Sequence, residues 1–165
     1  MKRILLLLSG LAFAKEAAAQ NSPTPSQVTL SRQLNELMRN PAKPQQQVLM
    51  TMNGCHVQQI IRDQQTDTGL SRPVVVSVSK GTSEWAVKVD ESLFELKMGF
   101  EWPQITKLSY RIAGQEEDEP RHYEIVFERH QNSRSATISL PLYTTDEQVV
   151  KNIVRRLEAQ RQACN

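Results

Sequence analysis

Apolar residues recur at every second position in a series of short segments between residues 48 and 142, and this pattern constrains the fold more than any other feature. The segment at 94–98, for example, reads Phe-Glu-Leu-Lys-Met, and turn-forming pairs such as Asn53-Gly54 separate one segment from the next. Such alternation is typical of strands with one apolar face and one face in water. The pattern therefore predicts an antiparallel β-sheet or open barrel of about six or seven strands.

Two segments with helical spacing flank the predicted strands. Residues 146–163 carry an apolar stripe and follow Thr144 and Thr145, either of which can cap a helix. Residues 31–39 form a shorter amphipathic segment with Ser31 as its candidate cap. The chain is thus predicted to be α+β, with an amphipathic C-terminal helix packed on the sheet and a short N-terminal helix.

This order of elements, short strands followed by one amphipathic helix over residues 48–163, resembles the pleckstrin-homology-like architecture. The resemblance lies in the element order alone. The basic loop with which many domains of that family bind phosphoinositides is not evident, because residues 62–73 are mixed in charge. A shared fold does not transfer function, so no functional residue is carried over.

The first 19 residues have the features of a secretory signal peptide. Lys2 and Arg3 precede an apolar run of 11 residues, which is too short to span a bilayer. Small residues place candidate cleavage sites after Ala14 and Ala19, and the polar spacer before the second site favours Ala19. The alternative is a buried N-terminal helix. We expect an exported protein, in a bacterial periplasm or outside the cell, with no transmembrane segment.

These assignments divide the chain into three parts. Residues 1–19 are the predicted signal peptide, and residues 20–47 are a polar lead-in that contains the short helix. Residues 48–165 are predicted to form one globular domain of sheet and C-terminal helix.

The net charge of +2 belongs to the signal peptide. The chain has 20 Lys and Arg against 18 Asp and Glu, and cleavage after Ala19 leaves 17 of each. Cleavage after Ala14 also leaves a neutral chain. In the C-terminal helix, Lys151 and Arg161 have Glu147 and Glu158 within four positions, so internal pairing is expected. Because nucleic-acid binding needs a basic surface, no nucleic-acid partner is expected.

Two cysteines, Cys55 and Cys164, are separated by 108 residues. Export to an oxidising compartment predicts that they form a disulfide. Cys164 lies 7 residues after Leu157, which extends the apolar stripe if the helix persists that far. The disulfide would then join the end of the helix to an early strand. The alternatives are two separate buried thiols, or a metal site with His56 that has few further ligands nearby.

The most suggestive residues for chemistry are at alternate positions of one predicted strand: His122, Glu124, Glu128 and His130. Histidine and glutamate bind metals and act as acids and bases. They alternate with apolar positions of the same strand, however, so a solvated strand face is the favoured interpretation. The two histidines are also too far apart to share one ion directly. No metal ion or cofactor is therefore expected.

The two tryptophans receive different predictions. Trp85 alternates with Ala86 and Lys88 and is expected to face inward, as part of the core between sheet and helix. The alternative is that it lines a ligand pocket or an interaction patch. Trp102 precedes Pro103 at the end of a strand, where an exposed tryptophan would be a candidate contact residue.

Three functions remain open at the level of sequence. The first is an exported, non-catalytic interaction or binding module with an unknown protein or small ligand as partner, because the chain carries no motif for nucleophilic catalysis or phosphate binding. The second is a carrier of a small apolar ligand, held in a cavity between the sheet and the C-terminal helix. The third is a secreted hydrolase that uses the His122–His130 strand or His56.

The predicted disulfide has a direct chemical test. Intact mass of the exported protein, after alkylation under denaturing and non-reducing conditions, should show no alkylated thiol. Two alkylated cysteines would contradict the pairing of Cys55 with Cys164.

Overall fold

The computed structural model describes residues 22–64, 74–80, 83–90, 93–114, 120–131 and 134–165. The predicted signal peptide lies outside these residues, as does the acidic run at 116–119. No described helix has the length and apolar composition that crossing a membrane requires.

The described chain contains two helices and eight strands, which confirms the predicted α+β class. The elements are α1 (Pro25–Leu37), β1 (Gln46–Asn53), β2 (His56–Asp63), β3 (Val74–Lys80), β4 (Ser83–Asp90), β5 (Leu93–Glu101), a 3₁₀ turn (Trp102–Gln104), β6 (Ile105–Ala113), β7 (His122–Gln131), β8 (Arg134–Leu142) and α2 (Glu147–Ala163). The eight strands exceed the predicted six or seven, and they form two antiparallel sheets. The division falls at the 3₁₀ turn, where Pro103 has no N–H to continue a strand ladder.

The five-stranded sheet has the order β1-β2-β5-β4-β3, and the second sheet has the order β6-β7-β8. The hairpin of β3 and β4 is therefore an excursion between β2 and β5, which are themselves neighbours. Their pairing runs without a shift from His56 opposite Glu101 to Asp63 opposite Phe94. Element order alone does not predict this arrangement.

The buried core lies where the two sheets and the two helices meet. Its centre is aromatic: the ring centroids of Phe100, Trp102 and Phe127 are 5.7–6.0 Å apart. Helix α2 contributes Ile153 and Leu157, both 0% exposed, which confirms the predicted apolar stripe. Side chains of α1, β1 and β8 complete the same core cluster.

Helix α1 begins six residues before the predicted start at Ser31, so that prediction is wrong. The side chain of Thr24 accepts a hydrogen bond from the Gln27 N–H, and the Gln27 side chain accepts one from the Thr24 N–H. This reciprocal capping box, with Pro25 at the first helical position, fixes the start of the helix. Ser31 lies within the helix and is 9% exposed.

The N-cap of α2 is also one residue later than predicted. Asp146 Oδ1 accepts hydrogen bonds from the backbone N–H groups of Gln148 and Val149. Thr144 instead accepts from the Asp146 N–H, which orders the residue that caps the helix. A carboxylate at this position also interacts favourably with the positive end of the helix dipole.

The predicted disulfide between Cys55 and Cys164 is confirmed. It joins Cys55, in the β1–β2 turn, to Cys164, the C-cap residue of α2, with a Cα–Cα distance of 5.6 Å. The adjacent residue Gly54 has a φ of +58°, a conformation that favours glycine. The link therefore connects elements that are 109 residues apart in the chain.

The side chain of Gln27 connects the same region a second time. Its amide nitrogen donates to the Gly54 carbonyl at 2.6 Å and to Gln160 Oε1 at 3.1 Å. Because Gln27 is only 3% exposed, these bonds satisfy a buried polar group. One glutamine thus holds α1, the β1–β2 turn and α2 together.

Removal of this amide should destabilise the protein measurably. Gln27→Ala should lower the free energy of unfolding by about 1–3 kcal/mol, because the Gly54 carbonyl and the Thr24 N–H lose their partner. Glu36→Ala, at an exposed position of the same helix, should change it by less than about 0.5 kcal/mol. Urea unfolding followed by circular dichroism measures both; equal effects would contradict the role assigned to Gln27.

Candidate functional site

One apolar surface of the five-stranded sheet lies outside the buried core. We call it the apolar sheet face and define it by seven side chains: Ile61 of β2, Trp85, Val87 and Val89 of β4, and Phe94, Leu96 and Met98 of β5. None of the seven belongs to the core cluster or to the partly buried side chains packed against it. Trp85 is 41% exposed, and the other six are half-buried.

The strand register places these residues side by side. Trp85 lies opposite Met98, and Val87 lies opposite Leu96. Leu96 in turn lies opposite Ile61 on the other side of β5. Residues directly opposite each other share a face, so the seven side chains form one continuous apolar surface across three strands.

Burial on this side of the sheet decreases with distance from the core. Phe100 and Val57, which pair across β5 and β2, are 2% and 0% exposed. Two positions further along β5, Met98 is half-buried, and so are Leu96 and Phe94. Among the described residues, the apolar sheet face is therefore a less buried continuation of the surface that forms the core.

A buried polar group lies at the margin between the core and the apolar sheet face. Gln59 is 3% exposed and lies opposite Met98. Its Oε1 is buried and has no hydrogen-bond partner among the described residues. A buried acceptor in this condition costs about 1–3 kcal/mol.

The opposite side of the same strands is an ordinary solvated face. Glu95 accepts from Arg62 Nε at 2.5 Å and lies 3.0 Å from Lys97 Nζ. The Arg62 guanidinium, followed by Lys97, holds the pKa of Glu95 below its ordinary value. The charged groups of β2 and β5 thus lie on the side of the sheet opposite the apolar sheet face, together with the apolar residues Leu49 and Ile60.

The predicted solvated position of His122 is wrong. His122 is 3% exposed, and its Nδ1 lies 2.9 Å from the Pro120 carbonyl, to which it donates. Its ring lies against that of Tyr143, with centroids 4.8 Å apart. A Cβ at Gly114 would lie 2.7 Å from the same nitrogen, so the surroundings are closely packed. His122 is a packed structural residue at the start of β7.

The two glutamates of this group form ion pairs with cations of β6. Glu124 is paired with Arg111 at 2.7 Å, and Glu128 with Lys107 at 2.9 Å, in both cases across to β6. The backbone of His130 pairs with Ser135, and its side chain lies outside the described part of the structure. Among the described residues, no three His, Cys, Asp or Glu side chains are grouped so as to hold a metal ion.

The prediction that Trp102 is an exposed contact residue is also wrong, because its side chain is 0% exposed. Trp102 begins the 3₁₀ turn between β5 and β6, and its indole packs in the core against Phe100 and Phe127. The two tryptophans exchange their predicted positions: Trp102 is buried, and Trp85 is the exposed one.

His56 and Glu101 form a close pair at the end of the five-stranded sheet. His56 Nδ1 lies 2.8 Å from Glu101 Oε1, and the side chains are 36% and 31% exposed. This is the geometry of a base and its orienting group, but nucleophilic catalysis needs a third, activated group. The sulfur of the adjacent Cys55 is held in the disulfide and is not a free thiol.

The charge pairs predicted for the C-terminal helix are confirmed. Lys151 lies 3.2 Å from Glu147, and Arg161 lies 2.6 Å from Glu158. Arg161 also donates to the Ile105 carbonyl at 3.2 Å. Both cations therefore form ion pairs within α2, and Arg161 also links α2 to β6.

The space between the sheets and α2 is occupied by side chains of the protein itself. Val150, Ile153 and Leu157 of α2 are all 0% exposed, as is Phe127 of β7. A groove of about 410 Å³ lies elsewhere, between α1 and β1, and is lined by residues that include Val28, Asn35 and Leu49. The described residues therefore do not support the position that the carrier hypothesis assigns to its ligand.

Comparison of the chain with protein-family models, with curated proteins and with solved structures finds no match.

The Glu95 pairing predicts a pH dependence of stability. A folded-state pKa below the ordinary 4.5 means that the stabilisation is present above that pH and is lost as the pH falls through the folded pKa. Glu95→Gln should therefore lower the free energy of unfolding by about 1 kcal/mol at pH 7. The difference from wild type should shrink towards zero under acidic conditions, as measured by urea unfolding across pH. A deficit that stayed constant would show that the pairing is not its origin.

Proposed function

We propose that this protein is an exported, non-catalytic binding module whose contact surface is the apolar sheet face. The observation that carries the proposal is Trp85: a large aromatic side chain, 41% exposed, at the end of a continuous apolar surface. Exposed apolar patches on soluble domains mark interaction sites, and tryptophan is among the residues that contribute most to binding.

The partner is a protein with an apolar surface of its own. A small ligand needs a concave site that covers most of its surface, whereas the apolar sheet face is a broad side of three neighbouring strands.

Export is supported by two independent features. The N-terminal residues have the composition of a signal peptide. The disulfide between Cys55 and Cys164 is of a kind that persists in oxidising compartments. Both agree with a module that works in a periplasm or outside the cell.

A non-catalytic role is supported by the surroundings of the two histidines whose side chains are described. His122 is packed beneath Tyr143, and His56 is paired with Glu101 beside a sulfur that is held in the disulfide. A hydrolase would bring a base together with an activated nucleophile.

The test is affinity capture from the native exported compartment, followed by quantitative binding to the captured protein. Trp85→Lys should raise the dissociation constant by at least about 30-fold, the size expected for a hot-spot residue. The matched control is Ile112→Lys, because Ile112 is also 41% exposed but lies on β6, in the other sheet. It should leave the dissociation constant within about twofold, a change well under one kcal/mol.

Tryptophan fluorescence provides a second measurement. The chain has only two tryptophans, and Trp102 is buried. Partner binding should reduce acrylamide quenching of wild type and should leave Trp85→Phe unaffected. Equal affinity of wild type and Trp85→Lys for every captured partner would contradict the proposal.

A further inference from the structure

The four outer strands of the two sheets differ in how their edges are protected. Open strand edges are templates for pairing with another chain, and proteins protect them with charges, prolines, bulges or covering elements. At β1, helix α1 provides this protection: Asn35 Oδ1 accepts a hydrogen bond from the Met50 N–H at 2.7 Å.

Strands β6 and β8, the edges of the smaller sheet, are also protected. The register of β6 shifts between Ile105 and Lys107, and Arg161 of α2 binds the Ile105 carbonyl. Strand β8 contains Pro141, which has no N–H, and immediately after β8 the Tyr143 N–H donates to the Leu37 carbonyl of α1.

Among the residues that the structure describes, strand β3 has no proline, bulge or covering element, and its single charge, Lys80, is at its end. It is the last strand in the order of its sheet, and its seven residues pair with β4 without a shift from Val74 to Lys80. Its sequence, VVVSVSK, has one charge and no proline. Valine also has a high preference for strands.

We propose that β3 is the site at which two copies of this protein associate. A second copy adds its own β3 in the antiparallel direction, about a twofold axis at Ser77, the central residue of the strand. The result is one continuous sheet of ten strands. The isologous pairing uses the same surface on both copies, as in most soluble dimers.

The sequence of β3 is self-complementary in this register. Ser77 lies opposite Ser77 of the second copy, and Val76 lies opposite Val78 of the second copy. In this register even-numbered residues of β3 lie opposite even-numbered ones, and odd-numbered residues lie opposite odd-numbered ones. Paired side chains therefore point to the same side, and each face of the extended sheet is continuous. The unpaired backbone groups of alternate residues then form about six to eight interchain hydrogen bonds.

Charge does not oppose this pairing. The single charged position, Lys80, lies opposite Val74 of the second copy, so no like charges face each other. The mature chain predicted from the sequence has 17 positive and 17 negative side chains, which leaves no net repulsion between copies. The charge pattern of β3 therefore introduces no repulsion when two copies pair at this edge.

Sedimentation equilibrium of the exported protein, over a micromolar concentration series, tests the proposal. Wild type should form a dimer. Ser77→Lys and Ser77→Glu should each weaken self-association by at least about tenfold, because like charges then lie directly opposite at the axis. An equimolar mixture of the two variants should restore the dimer, because Lys then faces Glu.

Ala86→Glu is the matched control. Ala86 pairs with Ser77 but lies one strand further from the axis. Its two copies would be about 14 Å apart across three strand spacings, beyond the screening length of about 8 Å at physiological salt, so the dimer should persist.

Hydrogen exchange gives a readout that does not depend on any variant. Amides of β3 should become more protected as the protein concentration rises. A wild type that stays monomeric, Ser77 variants that dimerise as wild type does, or β3 exchange that is independent of concentration would each overturn the proposal. Only folded variants can pair in the equimolar mixture. Recovery of the dimer there would therefore show that the single variants are folded and that the substitution weakens the interface alone.

Discussion

The contact among Phe100, Trp102 and Phe127 joins the two sheets, and the rest of the structure depends on where it lies. Phe100 comes from the end of β5, Trp102 from the 3₁₀ turn and Phe127 from the middle of β7. The rings meet at the point where the chain leaves the five-stranded sheet. Both helices pack near this junction, α1 on β1 and α2 on β6, and the disulfide closes it. The fold is therefore stabilised mainly at one end.

The exposed apolar surface is a geometric consequence of that junction. Each residue of a strand advances about 3.3 Å, so Phe94 lies roughly 20 Å along β5 from Phe100. Helix α1 packs on β1, at the edge farthest from β4. The strands keep the same alternation along their whole length, whereas the two described helices contact mainly β1, β6 and β8. Within the described part of the chain, the apolar sheet face is the part of the sheet that lies beyond these helix contacts.

The sequence predicts the faces of the strands but not what covers them. Alternation is a local property, so the antiparallel sheet and the apolar stripe of α2 could be predicted, and the cysteines on that framework suggested their pairing. The burial of Trp102 and the exposure of Trp85 depend on a turn and on distant elements, and both predictions failed. The prediction that His122 lies on a solvated face was wrong for the same reason, because the ring of Tyr143, which follows β8, packs against it. The start of α1, by contrast, is encoded by neighbouring residues, because Thr24 and Gln27 have the spacing of a capping box. The prolines around them suggested a flexible lead-in instead.

The proposed contact surface and the proposed dimer edge are adjacent, and this has a physical consequence. Trp85 of β4 lies opposite Val78 of β3, so a twofold axis at Ser77 would bring the two β4 strands about three strand spacings, or 14 Å, apart. The apolar faces of the two copies would then form one surface with Trp85 on either side of the axis. A partner with two matching elements would bind both copies, and the second contact would form at a high effective concentration. Dimerisation through β3 would thus strengthen binding through β4 and β5 without any new contact within either copy.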